Sequence, residues 1–213
     1  MTPRAALERG IGDMALALPP RASDQLLEYL ELIAKWNRTY NLTAIRDPLR
    51  MVSHHLLDSL AVLPHLPMAE GASLADVGSG AGLPGVAIAI GRPGWNITLN
   101  DSSEKKTAFL RQVAIELRLR NVNVHAGRVE AWRPQAAFAI VISRAFAELD
   151  RFIVSCRHLL APSGLLAAMK GAYPRSELTR LPADCECGKV IPIRVPLLQG
   201  ERHLVLCGVT RSK

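Results

Sequence analysis

A glycine-rich turn between two apolar segments constrains the fold of this chain more than any other feature. The apolar run SLADV (73–77) leads into GSGAGLPG (78–85), and the next residues, to Ile90, predict a helix. Glycines in such a turn let the backbone approach a ligand closely, in the crevice above the strand ends of an α/β sheet. The turn therefore indicates a nucleotide-like ligand at the first strand of an α/β domain.

Strands and helices alternate after this turn. Further strands are predicted at 96–101, 122–127, 138–144, 165–171, 189–197 and 203–211, with helices at 103–117 and 148–160. This alternation predicts a mostly parallel, seven-stranded sheet with helices on both faces. Because no helix separates the last two strands, one strand near the C-terminus must run antiparallel.

Residues 1–70 follow a different pattern and predict a helical extension to a domain that spans residues 71–213. The segment SDQLLEYLELIAKWN (23–37) has apolar residues at helical spacing, and Ser23 is its expected N-cap. A second helix is expected from Asp47-Pro48 to about Leu63, since Asp suits an N-cap and Pro the first turn.

Acidic residues at two strand ends bear on the choice of ligand. Gly80, Gly82 and Gly85 fit the G-x-G-x-x-G spacing of a dinucleotide site. Asp76 stands two residues before the first glycine, where it would receive an ammonium group and would repel a pyrophosphate. Asp101 closes the second strand and suits the ribose of either ligand. S-adenosylmethionine is therefore favoured, and a dinucleotide oxidoreductase is the alternative. The candidate cofactor-binding residues are Asp76, Gly78, Gly80, Gly82 and Asp101.

The chain is strongly basic. Its formal net charge is +7, and 20 of its 26 cationic residues are arginine. Guanidinium groups suit bidentate contacts to phosphate, so a polyanionic partner such as RNA is favoured. A base-composition bias in the genome would also raise the arginine content, and charge alone leaves both explanations open.

Cysteines and apolar runs bear on the compartment and on metal binding. No apolar run approaches the roughly 20 residues of a membrane span, and the start lacks the features of a secretory signal. A cytoplasmic monomer that does not contact a membrane is expected. Cys185 and Cys187 form a C-x-C without a second ligand pair, so no metal site is expected. All four cysteines are expected to be reduced.

Several motifs together resemble one protein family. They are LLEYLELIAKWNRTYNLTAIRD (26–47), HHLLDSL (54–60), DVGSGAGLPG (76–85), SRAF (143–146), MKG (169–171) and GERH (200–203). Over nearly the whole chain the sequence resembles the RsmG/GidB family. The resemblance implies a Rossmann-like, class I methyltransferase. Such an enzyme would transfer a methyl group from S-adenosylmethionine to N7 of the guanine at position 527 of 16S ribosomal RNA, free or in the small ribosomal subunit.

The resemblance also implies roles for single residues. Gly78 and Leu83 would lie against the methionine part of the cofactor, with Asp76 and Gly80 in the same loop. Asp101 would hold the ribose. Further implied cofactor contacts are Val129 and Glu130 beside the adenine, and Arg144, which would also be the catalytic residue facing the target base. Implied RNA contacts are Arg128, Lys170 and Arg202. The family loop often has proline where this chain has Ala81.

The expected chemistry needs no general base. Guanine N7 has its own lone pair, so no proton leaves before the methyl group is attacked. Of His54 and His55, one is interpreted as packed and hydrogen-bonded and the other as a surface residue. An arginine on N7 would block attack, so Arg144 is expected to bind O6 or phosphate. Asp58 is interpreted as an ordinary surface acid. The alternatives are a methyltransferase for another substrate and a non-catalytic RNA-binding assembly factor.

Overall fold

A seven-stranded sheet forms the centre of the computed structural model, which describes residues 1–210. The strands are β1 (Ser73–Val77), β2 (Asn96–Asp101), β3 (Val122–Ala126), β4 (Phe138–Arg144), β5 (Leu160–Lys170), β6 (Cys185–Pro192) and β7 (His203–Val209). Their order is β3-β2-β1-β4-β5-β7-β6. Strand β7 pairs antiparallel with both of its neighbours, and the remaining pairs are parallel. The predicted α/β architecture is confirmed. The last residue of the predicted seventh strand, Arg211, lies outside the described residues.

Parallel pairing brings the chemically active strand ends to one edge of the sheet. Val77 pairs with Asn100 and Asp76 with Ile142, so β1 ends beside the ends of β2 and β4. Strand β1 is buried from Leu74 to Val77, as expected for a central strand that is covered on both faces. Asp76, the next-to-last residue of β1, therefore lies at the same edge as Asp101 and Arg144, which end β2 and β4.

Helices cover both faces of the sheet. They are α1 (Pro3–Asp13), α2 (Ala22–Tyr40), α3 (Pro48–Met51), α4 (Asp58–Leu60), α5 (Gly85–Gly91), α6 (Glu104–Glu116), α7 (Leu149–Cys156) and α8 (Arg175–Leu178). Helix α1 was not predicted from the sequence, and it begins where the Thr2 hydroxyl accepts a hydrogen bond from the Ala5 N–H. Among residues 1–210, no helix combines the length and the apolar character of a membrane span.

The N-terminal helices share an apolar core with the sheet. Leu26 and Ile33 of α2 are fully buried in one cluster that also contains Val86 of α5 and Leu110 of α6. The apolar stripe predicted for this helix is therefore its packing face. The division of the chain at residue 70 stays a prediction, since the apolar cluster crosses it.

Some predicted helix boundaries in the N-terminal region are wrong. Helix α2 begins at Ala22 after Arg21, so Ser23 lies inside the first turn and is not the N-cap. The second predicted helix is interrupted by a π-helical turn, Val52–Leu57, between α3 and α4. Its start is as expected, because the Asp47 carboxylate accepts a hydrogen bond from the Arg50 N–H at 2.8 Å.

Three boundaries near the C-terminus also differ from the prediction. Helix α7 ends at Cys156, and β5 begins at Leu160 and continues through Pro162. The register of β4 against β5 shifts between Phe138 and Ile140, so an irregular ladder accommodates this proline. Strand β6 begins at Cys185, four residues before the predicted start at Lys189.

The expectation of four reduced cysteines is wrong for one pair. The β6–β7 register places Cys187 opposite Cys207, and a disulfide joins them. Cys156 and Cys185 are free thiols. The sulfur of Cys185 lies within 4.8 Å of the other two, because residues two apart on a strand face the same side. The disulfide depends on a pairing between distant strands, which the spacing of the cysteines did not reveal.

Replacement of Leu26 tests whether the N-terminal helices and the sheet unfold together. Leu26→Ala leaves a cavity in the shared core and is expected to lower the free energy of unfolding by roughly 2–5 kcal/mol. Leu49→Ala, at a site where the side chain is exposed, is the matched control. Tryptophan fluorescence and circular dichroism should report one transition at the same denaturant concentration. Two separated transitions would contradict the shared core.

Candidate active site

The glycine loop has a backbone conformation that requires glycine. Gly78, Gly80 and Gly82 have φ angles of +68°, +58° and +91°, which L side chains rarely adopt. At Gly82, an added Cβ would also lie 2.6 Å from a Val86 methyl carbon. The N–H of Ser79 donates to the Asn100 carbonyl at 2.9 Å, so the loop is attached to the end of β2. The loop is thus held close to the strand ends, and its three glycines have no side chains there.

Tyr29 of α2 supports the same loop from the N-terminal helices. It is fully buried, and its hydroxyl donates to the Ala81 carbonyl. Burial raises the pKa of this hydroxyl well above its usual value, so it stays a donor. Leu83 in the loop is also buried. The sequence places Tyr29 within the helix predicted at 23–37, but a single tyrosine in such a segment does not identify its partner.

Asp76 is fully buried at the end of β1. One carboxylate oxygen, Oδ2, accepts a hydrogen bond from the Gly85 N–H at 2.9 Å. The other, Oδ1, is buried without a hydrogen-bond partner among the described residues. Burial raises the pKa of this carboxyl to about 7, and the Gly85 hydrogen bond opposes that shift. A buried carboxylate oxygen without a partner fits a ligand that carries an ammonium group, as S-adenosylmethionine does.

Asp101 at the end of β2 connects the glycine loop to the ribose side of the expected site. Its Oδ2 accepts from the Gly80 N–H and its Oδ1 from the Ser103 N–H, both at 2.9 Å. The ammonium of Lys106 lies 3.8 Å from Oδ2. Each carboxylate oxygen has further acceptor capacity, so the same group fits ribose hydroxyls.

The segment after β3 lies next to Asp101. The N–H of Gly127 donates to the Asp101 carbonyl at 3.1 Å, and the side-chain amide of Asn100 donates to the Gly127 carbonyl at 2.9 Å. Val129 is buried, whereas Glu130 is exposed and accepts a hydrogen bond from the Ser155 hydroxyl. Asn100 is buried and was missed in the sequence, where nothing signals the role of an amide inside a strand.

A second group of predicted residues lines a cavity of about 480 Å³ next to the end of β4. Its lining includes His54, His55, Asp58, Arg144, Lys170 and Arg202. Three of the four predicted basic residues therefore lie together, while Arg128 is exposed near the end of β3. Both guanidinium groups in the cavity contact the Asp58 carboxylate: Arg144 Nη1 at 3.1 Å and Arg202 Nε at 2.9 Å.

The interpretation of Asp58 as a surface acid is wrong. Its exposed fraction is only 4%, and its carboxylate lies between the guanidinium groups of Arg144 and Arg202. His55 is also buried, and its Nε2 lies 3.0 Å from the Thr43 hydroxyl oxygen. Burial and the nearby Arg144 lower the pKa of His55 to about 4, so this histidine is neutral at physiological pH.

Lys170 supports the loop that follows β4. Its ammonium donates to the Ala147 carbonyl at 3.0 Å and to Glu177 at 2.6 Å. The same Glu177 oxygen accepts from the Leu149 N–H. Phe146 in this loop covers the glycine loop so closely that a Cβ on Gly78 would lie 2.8 Å from its ring. The Lys170 ammonium therefore has two partners within the protein, and these contacts hold the loop that follows β4.

Two solved structures share the fold of this chain. A SAM-dependent methyltransferase from Aquifex aeolicus aligns with a TM-score of 0.60 at 19% identity, over 80% of this chain and 97% of that chain. A mutant of MtNAS in complex with S-adenosylmethionine aligns with a TM-score of 0.58 at 14% identity, over 87% and 76% of the two chains. At these identities the likeness shows the fold alone.

Sequence relatives are much closer. Ribosomal RNA small subunit methyltransferase G of Chromobacterium violaceum is 51% identical over 94% of this chain and 95% of its own length. The protein of that name from Laribacter hongkongensis is 47% identical over 98% and 100%. The model of the GidB family, described as rRNA small subunit methyltransferase G, matches residues 22–205. The chain therefore belongs to the GidB family.

Proposed function

We propose that this protein transfers a methyl group from S-adenosylmethionine to N7 of the guanine at position 527 of 16S ribosomal RNA. One observation carries the proposal. A buried carboxylate with an unpartnered oxygen, Asp76, ends one strand, and an arginine-lined cavity adjoins the end of a neighbouring strand. An ammonium-bearing cofactor and an anionic, acceptor-rich substrate would thus meet at one edge of the sheet.

The cofactor side is assigned to the glycine loop and the strand ends that surround it. S-adenosylmethionine, when bound, supplies a methyl group on a positively charged sulfur. Asp76 would accept the ammonium group through Oδ1, and Asp101 would accept the ribose hydroxyls. The backbone of Gly78, Gly80 and Gly82, with Leu83, would contact the methionine part. Val129 and Glu130 would flank the adenine.

The substrate side is assigned to the cavity around Arg144. The Nη1 group of Arg144 donates to the His54 carbonyl and to Asp58, so the donors on Nε and Nη2 remain for a ligand. These donors would bind guanine O6, which leaves the N7 lone pair free for attack. Rate enhancement would come mainly from holding N7 about 3 Å from the methyl carbon, in line with the leaving sulfur.

A wider groove adjoins this cavity and suits an RNA strand. Its volume is about 1090 Å³, and its lining includes Arg9, Arg194 and Arg202. It shares Ile193, Arg202 and His203 with the cavity, so a strand in the groove could place one base inside. The net charge of +7 favours such a partner.

Residues 1–70 would then form part of the substrate side. The enzyme would act in the cytoplasm, as a monomer, on 16S ribosomal RNA or on the small ribosomal subunit.

A methyl-transfer assay tests the proposed function. Small ribosomal subunits from a strain that lacks this gene are incubated with radiolabelled S-adenosylmethionine and digested to nucleosides. Label is expected in 7-methylguanosine with the wild-type protein. With Asp76→Ala it should fall at least tenfold, because the ammonium loses its buried partner. Asp24→Ala, at an exposed ion pair with Arg4, is the control. Label in another nucleoside, or none, would contradict the proposed reaction.

Cofactor binding is expected to depend on pH through Asp76. Its pKa is raised to about 7, so the free protein holds a proton on this carboxyl at lower pH. An ammonium ligand binds the ionised form, so the proton must leave and affinity falls as the pH drops below 7. Calorimetry should show roughly tenfold weaker binding at pH 5.5 than at pH 7, a range in which the ligand amine stays protonated.

Asp76→Asn separates this titration from other effects of pH. The amide keeps the shape of the side chain and does not titrate, so its binding of S-adenosylmethionine should be weak and independent of pH over the same range. A wild-type affinity that does not change with pH, or an equal trend in Asp76→Asn, would exclude Asp76 as the titrating group.

A further inference from the structure

Asp58 connects two arginines that reach the cavity from different parts of the sheet. Arg144 ends β4, and Arg202 directly precedes β7. They are separated from Asp58 by 86 and 144 positions along the chain. Each binds a different carboxylate oxygen: Arg144 contacts Oδ2 and Arg202 contacts Oδ1. The carboxylate thus bridges two guanidinium groups at the wall of the cavity.

The bridge counters the repulsion between the two arginines. Two like charges in a partly buried cavity repel each other strongly, and their side chains would otherwise separate toward solvent. With the carboxylate between them, both arginines remain only about one-quarter exposed, at 23% and 27%. Asp58 itself is nearly inaccessible to a ligand, since both of its oxygens are occupied. It acts on a substrate through the arginines.

We propose that Asp58 is a positioning residue that holds Arg144 and Arg202 in the orientation that receives the target guanine. This inference rests on the proposed function, because it assigns the cavity to the substrate base. The bridge fixes Nη1 of Arg144 between Asp58 and the His54 carbonyl, which determines where its other donors point. The same contact fixes Arg202 at the junction of the cavity and the wider groove.

The reaction requires such control of the arginines. Guanine presents N7 and O6 side by side as acceptors, and a mobile guanidinium would bond both. A donor on N7 would occupy the lone pair that must attack the methyl carbon. Methylation also moves the positive charge from sulfur to the base, so the cavity must not become more cationic. The Asp58 carboxylate offsets one of the two arginine charges at that place.

Asp58→Asn tests the inference because it keeps the shape and removes the charge. Single-turnover methyl transfer to small subunits should slow roughly 10- to 100-fold, as expected when reacting groups lose alignment. The affinity for S-adenosylmethionine should stay within about twofold, since the Asp58 carboxylate bonds to the two arginines and, among the described residues, to no group of the glycine loop. Asp24→Asn is the matched control, because it makes the same change at an exposed ion pair. A wild-type rate in a folded Asp58→Asn protein would overturn the inference.

A variant without the arginines distinguishes positioning from a general structural role. Asp58→Asn is combined with the double variant Arg144→Ala/Arg202→Ala. In that double variant the Asp58 carboxylate has lost both of its guanidinium partners. No further loss of rate or RNA affinity is expected, and the melting temperature should rise because an unpaired buried charge is removed. An equal fold-loss in both backgrounds would show that Asp58 acts independently of the arginines. If Asp58→Asn does not fold, Asp58→Glu replaces it, and a slower transfer with retained cofactor binding is expected.

The positioning role of Asp58 can be tested even if the proposed function fails. If the wild-type protein transfers no label to RNA, the proposed function is contradicted. The role of Asp58 is then tested by measuring the affinity of each variant for small-subunit RNA. A loss of affinity in Asp58→Asn that disappears in the arginine-free background supports the positioning role. Unchanged RNA affinity in every variant overturns it.

Discussion

The carboxylate of Asp76 holds the glycine loop against the end of β1. One oxygen accepts the N–H of Gly85 at the start of α5, so it joins β1 to the next helix and closes the glycine loop between them. Gly85 cannot carry a side chain, because a Cβ would lie 2.7 Å from that oxygen and would overlap the Leu99 side chain. The other oxygen is buried without a partner among the described residues, which is costly unless a ligand supplies a donor. The same group therefore shapes the loop and, in the proposed function, receives the ammonium group of the cofactor.

The N-terminal helices complete the site from the opposite side. Tyr29 of α2 holds the glycine loop through the Ala81 carbonyl, and Asp58 holds Arg144 and Arg202. Both side chains are buried in or beside the core that the helices share with the sheet. Removal of these helices would thus release the cofactor loop and the arginines together. The extension therefore supports both halves of the proposed site, and its role is more than that of a docking surface.

Local patterns in the sequence were informative where function depends on neighbouring residues. The alternation of strands and helices, the glycine loop and the acidic residues at two strand ends are all readable within short windows. Asp58 was misread because its partners lie 86 and 144 positions away, and nothing nearby indicates them. The Cys187–Cys207 disulfide depends on the register of two strands for the same reason. The sequence does not predict the π-helical turn before Asp58, because apolar residues continue at helical spacing through it.

Binding of an amine-deleted cofactor analogue tests the central claim most directly. Calorimetry at pH 7 compares S-adenosylhomocysteine with an analogue in which hydrogen replaces the amino group, on the wild-type protein and on Asp76→Asn. If Asp76 receives the ammonium, deleting the amine should weaken wild-type binding at least tenfold and should have little effect on the variant. An equal loss of affinity in both proteins would show that the ammonium binds elsewhere and would contradict the assignment of the glycine loop.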